Sequence, residues 1–107
     1  GLVAKSTSSR KYKQDIGDYT SLDILKARPV RFRGIADVER DPNAPYNLGF
    51  IAEEMDEAGL TELVTYNEDG SPEAVNYDRV CAALLVVIKD QESRITALEN
   101  KLKEISI

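Results

Sequence analysis

The sequence predicts a small α+β domain, with short strands and hairpins, that ends in one long helix. Its 107 residues are enough for one domain, and 42% apolar with 31% charged residues are typical of an ordered, soluble chain. Short alternating segments indicate strands, whereas residues 78–107 repeat apolar side chains at helical spacing. A domain this short buries only about two-thirds of its unfolded surface, so help from self-association is plausible.

The elements of the first half follow a polar, serine- and lysine-rich opening. TSLDILKARP predicts a helix, because Thr20 and Asp23 have capping-box spacing and Pro29 stops the helix. PVRFRGI alternates apolar and basic side chains, which predicts a strand with Val30 and Phe32 on one buried face. Two prolines in DVERDPNAPYN predict a loop or a projecting hairpin tip.

The middle of the chain predicts a second helix and a hairpin. LGFIAEEMDEAG is expected to open as a short strand and become a helix with Ile51 and Met55 on one side and Gly59 as its C-cap. ELVTYNEDGSPEAVNY predicts strands at residues 63–66 and 74–77, joined by an NEDGSP turn.

Residues 78–107 predict a helix with a heptad seam. Arg94 at g and Glu99 at e have the signs expected of an interhelical charge pair, and residues 80–88 are apolar enough to be buried on every side. We favour self-association over a single amphipathic helix lying on its own domain, and the seam leaves the number of strands open. The seam residues at positions a and d are Leu84, Ile88, Gln91, Ile95, Leu98, Leu102 and Ile105.

Charge is distributed unevenly along the chain. The net charge is −5, but residues 1–33 are basic and residues 34–78 are strongly acidic. The overall sign argues against general nucleic-acid binding. Three arginines, Arg28, Arg31 and Arg33, can either grip a phosphate or pair with the acidic segment of a neighbouring subunit, and we favour the pairing.

The chain contains one cysteine and no histidine. This composition excludes an intrachain disulfide, histidine triads and histidine zinc sites. Cys81 lies in VCAALLVVI, which predicts core packing rather than a reactive thiol and is too short to span a bilayer. The adjacent acids Glu53, Glu54, Asp56 and Glu57 are expected to face solvent, so we predict no metal site.

The stretch STSSRKYKQDI carries the one candidate for catalysis. A serine hydroxyl needs an adjacent base, and without histidine the available base is a lysine able to give up its proton. Arg10 and Lys11 lie close to Lys13 in sequence, and their positive charges would disfavour the charged form of its amine. From the pattern alone, a flexible basic tail is the favoured interpretation over a pairing of Ser8 with Lys13.

The order of the segments is more specific than any single motif. The chain reads, in succession, SSRKYKQDI, LDILKARPVRFR, GFIAEEMDEAG and LVTYNEDGSPEAVNYDRV, and then enters the apolar heptad helix. This succession resembles the C-terminal intramolecular chaperone domain of endosialidase-type phage tailspikes and tail fibres. The resemblance covers residues 8–107.

The resemblance implies a self-cleaving serine endopeptidase with a Ser-Lys dyad. The family's cleavage motif begins with the nucleophilic serine, usually followed by an aspartate, and has a lysine five positions after the serine. Ser8 and Lys13 match this motif, whereas Ser9 stands in place of the aspartate. The implied scissile bond joins Thr7 to Ser8, so residues 1–7 would end the upstream fibre and residues 8–107 would form the released domain.

The resemblance also implies a homotrimer. Residues 78–107 would form a trimeric coiled coil or helical bundle, and DVERDPNAPYN or NEDGSP would project to hold the fibre. The expected partners are copies of the chain and its own upstream fibre, without membrane, nucleic acid, cofactor or metal. The domain would act in the host cytoplasm during virion assembly and leave the mature fibre after cutting. Two alternatives stay open: a non-cleaving trimerisation module, and an assembly domain regulated by a nucleotide or polyanion.

Overall fold

The computed structural model describes residues 7–106 and confirms the α+β class. Two small antiparallel sheets precede one long C-terminal helix. The strands are β1 (Val30–Phe32), β2 (Asn47–Gly49), β3 (Val64–Tyr66) and β4 (Pro72–Val75). The α-helices are α1 (Ile35–Arg40), α2 (Ala52–Glu57) and α3 (Tyr77–Ile105), and 3-10 turns lie at Arg10–Tyr12, Asp23–Lys26 and Thr61–Leu63.

The predicted hairpin is confirmed, and its second strand lies two residues earlier in the chain than predicted. Val64 pairs with Val75, and the register shifts between Thr65 and Tyr66. Pro72 begins β4 instead of ending the turn, a strand position that tolerates the missing backbone N–H. The turn uses Gly70 at a φ of 86°, a conformation that favours glycine.

The core lies between α2, the β3–β4 hairpin and the first turns of α3. Met55 is its largest fully buried side chain, at 1% exposure. Gly59 follows α2 at a φ of 81°, so the predicted helix end is confirmed. The buried cluster consists of Ile24, Ala52, Met55, Leu60, Leu63, Val64, Val80, Ala83 and Val87.

The β1–β2 sheet joins this core at the start of α3. Phe50 donates its backbone N–H to Tyr77 Oη at 3.3 Å, and the two rings lie 6.1 Å apart between centroids. A Cβ on Gly49 would lie 2.5 Å from Tyr77 Oη and 3.3 Å from Phe32 Cε1. Only glycine therefore allows this close approach without displacing Tyr77.

The first predicted helix is reduced to a single 3-10 turn, and its predicted capping box is wrong. Ser21 Oγ, not Thr20, accepts the backbone N–H of Asp23 at 3.1 Å. Ala27 is already extended, with a ψ of 147°. Because Pro29 also disfavours a helical conformation at Arg28, the turn has no room to grow.

Two expectations for the β1–β2 region are corrected. Phe32 is 42% exposed, so the strand does not have the predicted buried face. DVERDPNAPYN is not all loop, because α1 occupies Ile35–Arg40. Asp37 and Arg40 form an ion pair three residues apart, a spacing that stabilises a helical turn.

Residues 80–88 of α3 are not buried on every side as predicted. Val80, Ala83 and Val87 face the core, whereas Leu84 and Ile88 are 44% and 60% exposed. The body of one chain covers only one face of a helix, so the remaining apolar side chains stay in solvent. Arg94 pairs with Asp90 of the same helix at 3.9 Å. Within residues 7–106, no helix has the length and apolar character needed to cross a membrane.

Candidate functional site

The first 3-10 turn brings Ser8 and Lys13 together. Tyr12 donates its backbone N–H to the Ser9 carbonyl at 3.1 Å, and Lys13 donates its own to the Arg10 carbonyl at 3.0 Å. This reversal of the chain returns the lysine side chain to the serine, with Nζ 2.9 Å from Ser8 Oγ. Lys13 Nζ also contacts the Ser8 carbonyl oxygen. Residues five positions apart thus become hydrogen-bonded neighbours.

Ser9 stabilises the turn that forms this contact. Its Oγ accepts the backbone N–H of Lys11 at 3.4 Å, from the N-cap position. Serine and aspartate are both favoured at N-caps, because each offers a side-chain oxygen to a free backbone N–H. Serine in the position where the resemblance expects aspartate therefore retains this local role.

The pair lies in solvent. Residues 7–13 are all exposed, and Lys11 Nζ lies over the ring of Tyr12 at 5.1 Å from its centroid. Thr7, on the other side of the predicted scissile bond, is the first described residue. Residues 1–6 of the predicted fibre end lie outside the described part of the chain.

A strap, residues 14–22, connects this turn to the rest of the molecule. Tyr19 Oη donates to Glu62 Oε1 at 2.7 Å, and Arg79 Nη1 donates to the Glu62 carbonyl at 2.8 Å. The hydrogen bond to Glu62, and then partial burial, raise the pKa of the Tyr19 hydroxyl. Sequence patterns did not identify this cluster, because its members are distant in sequence and lack a local signature.

Arg28 finds its acidic partner within the same chain. Its Nε and Nη2 donate to Glu54 Oε1 and Oε2 at 2.9 and 2.6 Å, which makes the ion pair bidentate. The hydrogen bond to Arg28 lowers the pKa of Glu54, and the same bond raises the pKa of Arg28. The favoured prediction placed this acid in a neighbouring subunit, whereas the acidic middle segment of the same chain supplies it.

Arg31 and Arg33 converge on an aromatic ring. Their guanidinium carbons lie 3.8 and 5.0 Å from the Tyr46 centroid, and Arg33 Nη1 donates to the Pro42 carbonyl at 2.9 Å. These two arginines are thus held by a ring and a backbone oxygen. Tyr46 was not identified from the sequence, since it lies in a segment predicted as loop.

Two of the four acidic residues of α2 contact side chains of the same chain. Glu54 holds Arg28, and Asp56 accepts a hydrogen bond from the Tyr66 hydroxyl, which raises the pKa of Tyr66. Glu53 and Glu57 are exposed. Among residues 7–106, the structure contains no group of three or more acidic or cysteine side chains arranged to hold a metal ion.

Cys81 is exposed, so the core of a single chain does not bury it, and its packing in the seam, one heptad before Ile88, stays a prediction. Its neighbour Val80 occupies the buried face, at 4% exposure. Successive residues of a helix point about 100° apart, which turns Cys81 away from the core. It shares the exposed side with Leu84 and Ile88, one and two turns later.

Two comparisons with known proteins bear on this geometry. A model of a peptidase family described as chaperone of endosialidase matches residues 8–65, more than half of the chain. The match begins at Ser8 and includes Lys13. The comparison with curated proteins gives no match. The order of motifs, the mixed fold and the extent of this match together show that the chain belongs to the chaperone-of-endosialidase family.

Proposed function

We propose that the chain is an intramolecular chaperone that trimerises, assists the folding of an upstream phage tail fibre or tailspike, and then releases itself by cutting between Thr7 and Ser8. The observation that carries the proposal is the 2.9 Å contact between Ser8 Oγ and Lys13 Nζ, formed at the residue where the family match begins. The description of the family supports the chaperone role, and its peptidase classification supports self-cleavage.

The proposed reaction is an acyl transfer followed by hydrolysis. Lys13, as the neutral amine, takes the proton from Ser8 Oγ, which attacks the Thr7 carbonyl carbon. The bond from this carbon to the Ser8 nitrogen breaks, and Lys13 returns the proton to the leaving amine. Water then hydrolyses the Thr7 ester, which leaves a carboxylate on Thr7 and a free hydroxyl and amine on Ser8. The substrate is the adjacent peptide bond, so no separate binding pocket is required.

The trimerisation step rests on the seam of α3. Its apolar members are between 44% and 79% exposed in one chain. A β-rich trimeric fibre depends on contacts distant in sequence and therefore folds slowly. A helical trimer formed first would raise the effective concentration of the three fibre segments. Cleavage would then leave the fibre kinetically trapped, because its folding aid is gone.

Cleavage would report on assembly if it requires the trimer. The Ser8–Lys13 pair is exposed in the single chain. A second chain that covers the pair would exclude water from it and strengthen the electrostatic interactions there. Cutting would then be delayed until the subunits have met.

The test uses the protein with its natural upstream segment. Ser8→Ala and Lys13→Ala are expected to abolish cutting, whereas Ser93→Ala and Lys26→Ala, exposed residues elsewhere, should cut as wild type does. Gel mobility follows the reaction, and N-terminal sequencing of the product should read SSRKYK. Continued cutting between Thr7 and Ser8 in both dyad variants would refute the mechanism.

A non-cleaving trimerisation module is the second candidate. The exposed seam favours it independently of the dyad, because the seam predicts self-association whether or not the chain is cut. A wild-type trimer that stays intact through fibre assembly, in the same gel experiment, would support this candidate against the first.

A further inference from the structure

The strap that follows the dyad has few contacts of its own. In the part of the chain that the structure describes, the hydrogen bonds of residues 8–18 stay within that segment, and all of these residues are exposed. Asp15 has a φ of 55°, in the left-handed region, which aspartate adopts more readily than most non-glycine residues. The position of the dyad relative to the core therefore depends on where the strap is fastened.

Tyr19 provides this attachment. It is the first residue after the dyad whose side chain hydrogen-bonds to the core region, through Glu62 Oε1 at 2.7 Å. Glu62 lies in a 3-10 turn beside the buried Leu63, and Arg79 of α3 holds its carbonyl at 2.8 Å. The backbone of the acceptor residue is thus held by the buried Leu63 beside it and by the first turn of α3.

Tyr19 also borders two clefts along α3. A cleft of about 490 Å³ lies between the strap and the helix, bordered by Leu22 and Leu85. A cleft of about 290 Å³ lies on the side of Glu62, bordered by Arg79 and Ala83. Because Tyr19 is 40% exposed and borders both clefts, its hydroxyl contact with Glu62 is the specific bond at this point, and its loss would free the strap to shift along the helix.

We propose that Tyr19 and Glu62 are positioning residues for self-cleavage, which fasten the dyad-bearing strap to the base of the long helix. This inference rests on the proposed function, since it assigns the contact a role in that reaction. The chain then runs from Ser8 and Lys13 through the strap to the hydrogen bond between Tyr19 and Glu62, and Arg79 of α3 donates to the carbonyl of Glu62. Order at the base of the helix would thereby be transmitted to the dyad.

The main experiment measures the rate of cutting in the protein with its upstream segment. Tyr19→Phe removes only the donor and should slow cutting roughly fivefold, the effect of one lost hydrogen bond. Glu62→Ala should slow it similarly, and the double variant should be no slower than either single one. Glu62→Gln keeps a carbonyl oxygen as acceptor and should restore most of the rate.

Tyr66→Phe is the matched control. Tyr66 also donates its hydroxyl to a carboxylate, that of Asp56, but within the core region and away from the strap. It should cut at nearly the wild-type rate. If Tyr66→Phe is slowed as much as Tyr19→Phe, a general loss of stability explains both results and the positioning role is overturned. A Glu62→Gln variant as slow as Glu62→Ala would overturn it as well.

A second measurement does not depend on cutting. Amide hydrogen exchange over residues 14–22, in the Ser8→Ala background, should accelerate with Tyr19→Phe and Glu62→Ala and stay near the parent rate with Glu62→Gln. Unchanged exchange in all three variants overturns the attachment. If Ser8→Ala abolishes cutting but Tyr19→Phe leaves its rate unchanged, the positioning role fails while the dyad stands. If Ser8→Ala still cuts, the proposed dyad is the part that fails.

Discussion

The core and the seam contain the same kinds of side chain in opposite surroundings. Met55 in the core is 1% exposed, whereas Ile95 and Ile105 in the seam are 53% and 79% exposed. Burial of such a side chain stabilises a protein by about 1.5–3 kcal/mol. Folding of a single chain therefore gives this stabilisation to the core side chains but not to the seam side chains. One chain is sufficient to close the core, whereas the seam stays exposed in the single chain.

The boundary between the two regions lies within α3. Val87 is the last buried residue of the helix, at 7% exposure, and every residue from Gln91 to Ser106 is exposed. The first turns are held by the rest of the domain, while the remaining turns extend beyond it. The projecting turns, from Gln91 onwards, amount to about 15 residues, and an isolated helix of about 12–15 residues is marginal in water. The far end of α3 should therefore be stable only when the seam is covered.

The largest expected effect comes from a charge placed in the seam. Ile95→Asp would put a carboxylate at an a position in every copy, where it must lose water without a partner. We expect the proposed trimer to dissociate into monomers in analytical ultracentrifugation. Asn100→Asp adds the same charge at position f, away from the seam, and should leave the mass of the assembly unchanged. A trimeric Ile95→Asp variant would show that the seam is not the contact.

The next largest effect should fall on the core. Met55→Ala removes its largest buried side chain and is expected to lower the free energy of unfolding by about 2–5 kcal/mol, measured by urea titration. Leu102→Ala is the comparison, in the monomeric Ile95→Asp background. It should change stability by about 0.5 kcal/mol or less, because Leu102 is 66% exposed in the single chain. Equal losses in the two variants would contradict the division between core and seam.

Local signals predicted the elements whose partners lie nearby in sequence. The hairpin, the end of α2 at Gly59 and the extent of α3 were predicted because turn residues and heptads encode them directly. The contact between Ser8 and Lys13 agrees with a five-residue spacing that is weak evidence alone and gains meaning from the order of the motifs around it. Its catalytic role stays a prediction.

The errors share a physical origin in distant contacts. The neighbours of Phe32 predict a buried side chain, but its exposure depends on which face the rest of the chain covers. The hydrogen bond from Tyr19 to Glu62 joins residues 43 positions apart, and no periodic pattern in the sequence indicates it. The pairing of Arg28 with Glu54 spans 26 residues, and charge signs alone did not distinguish a partner in the same chain from one in another.

The smallest expected effect concerns that ion pair, which lies on the surface of the core region. Arg28 lowers the pKa of Glu54 below its ordinary value of 4.5, so the pair stabilises the folded state above that pH. The contribution is lost as the pH falls through the lowered pKa, where Glu54 becomes protonated. Arg28→Gln should therefore lower the Tm slightly at pH 7, and the difference from wild type should shrink below pH 4.5 and in high salt. Arg33→Gln removes the same charge from a guanidinium that faces a ring and a carbonyl, so its Tm difference should not follow the protonation of Glu54. Thermal melts from pH 3 to 7 would test this, and a Tm difference for Arg28→Gln that grows in acid would contradict the assignment.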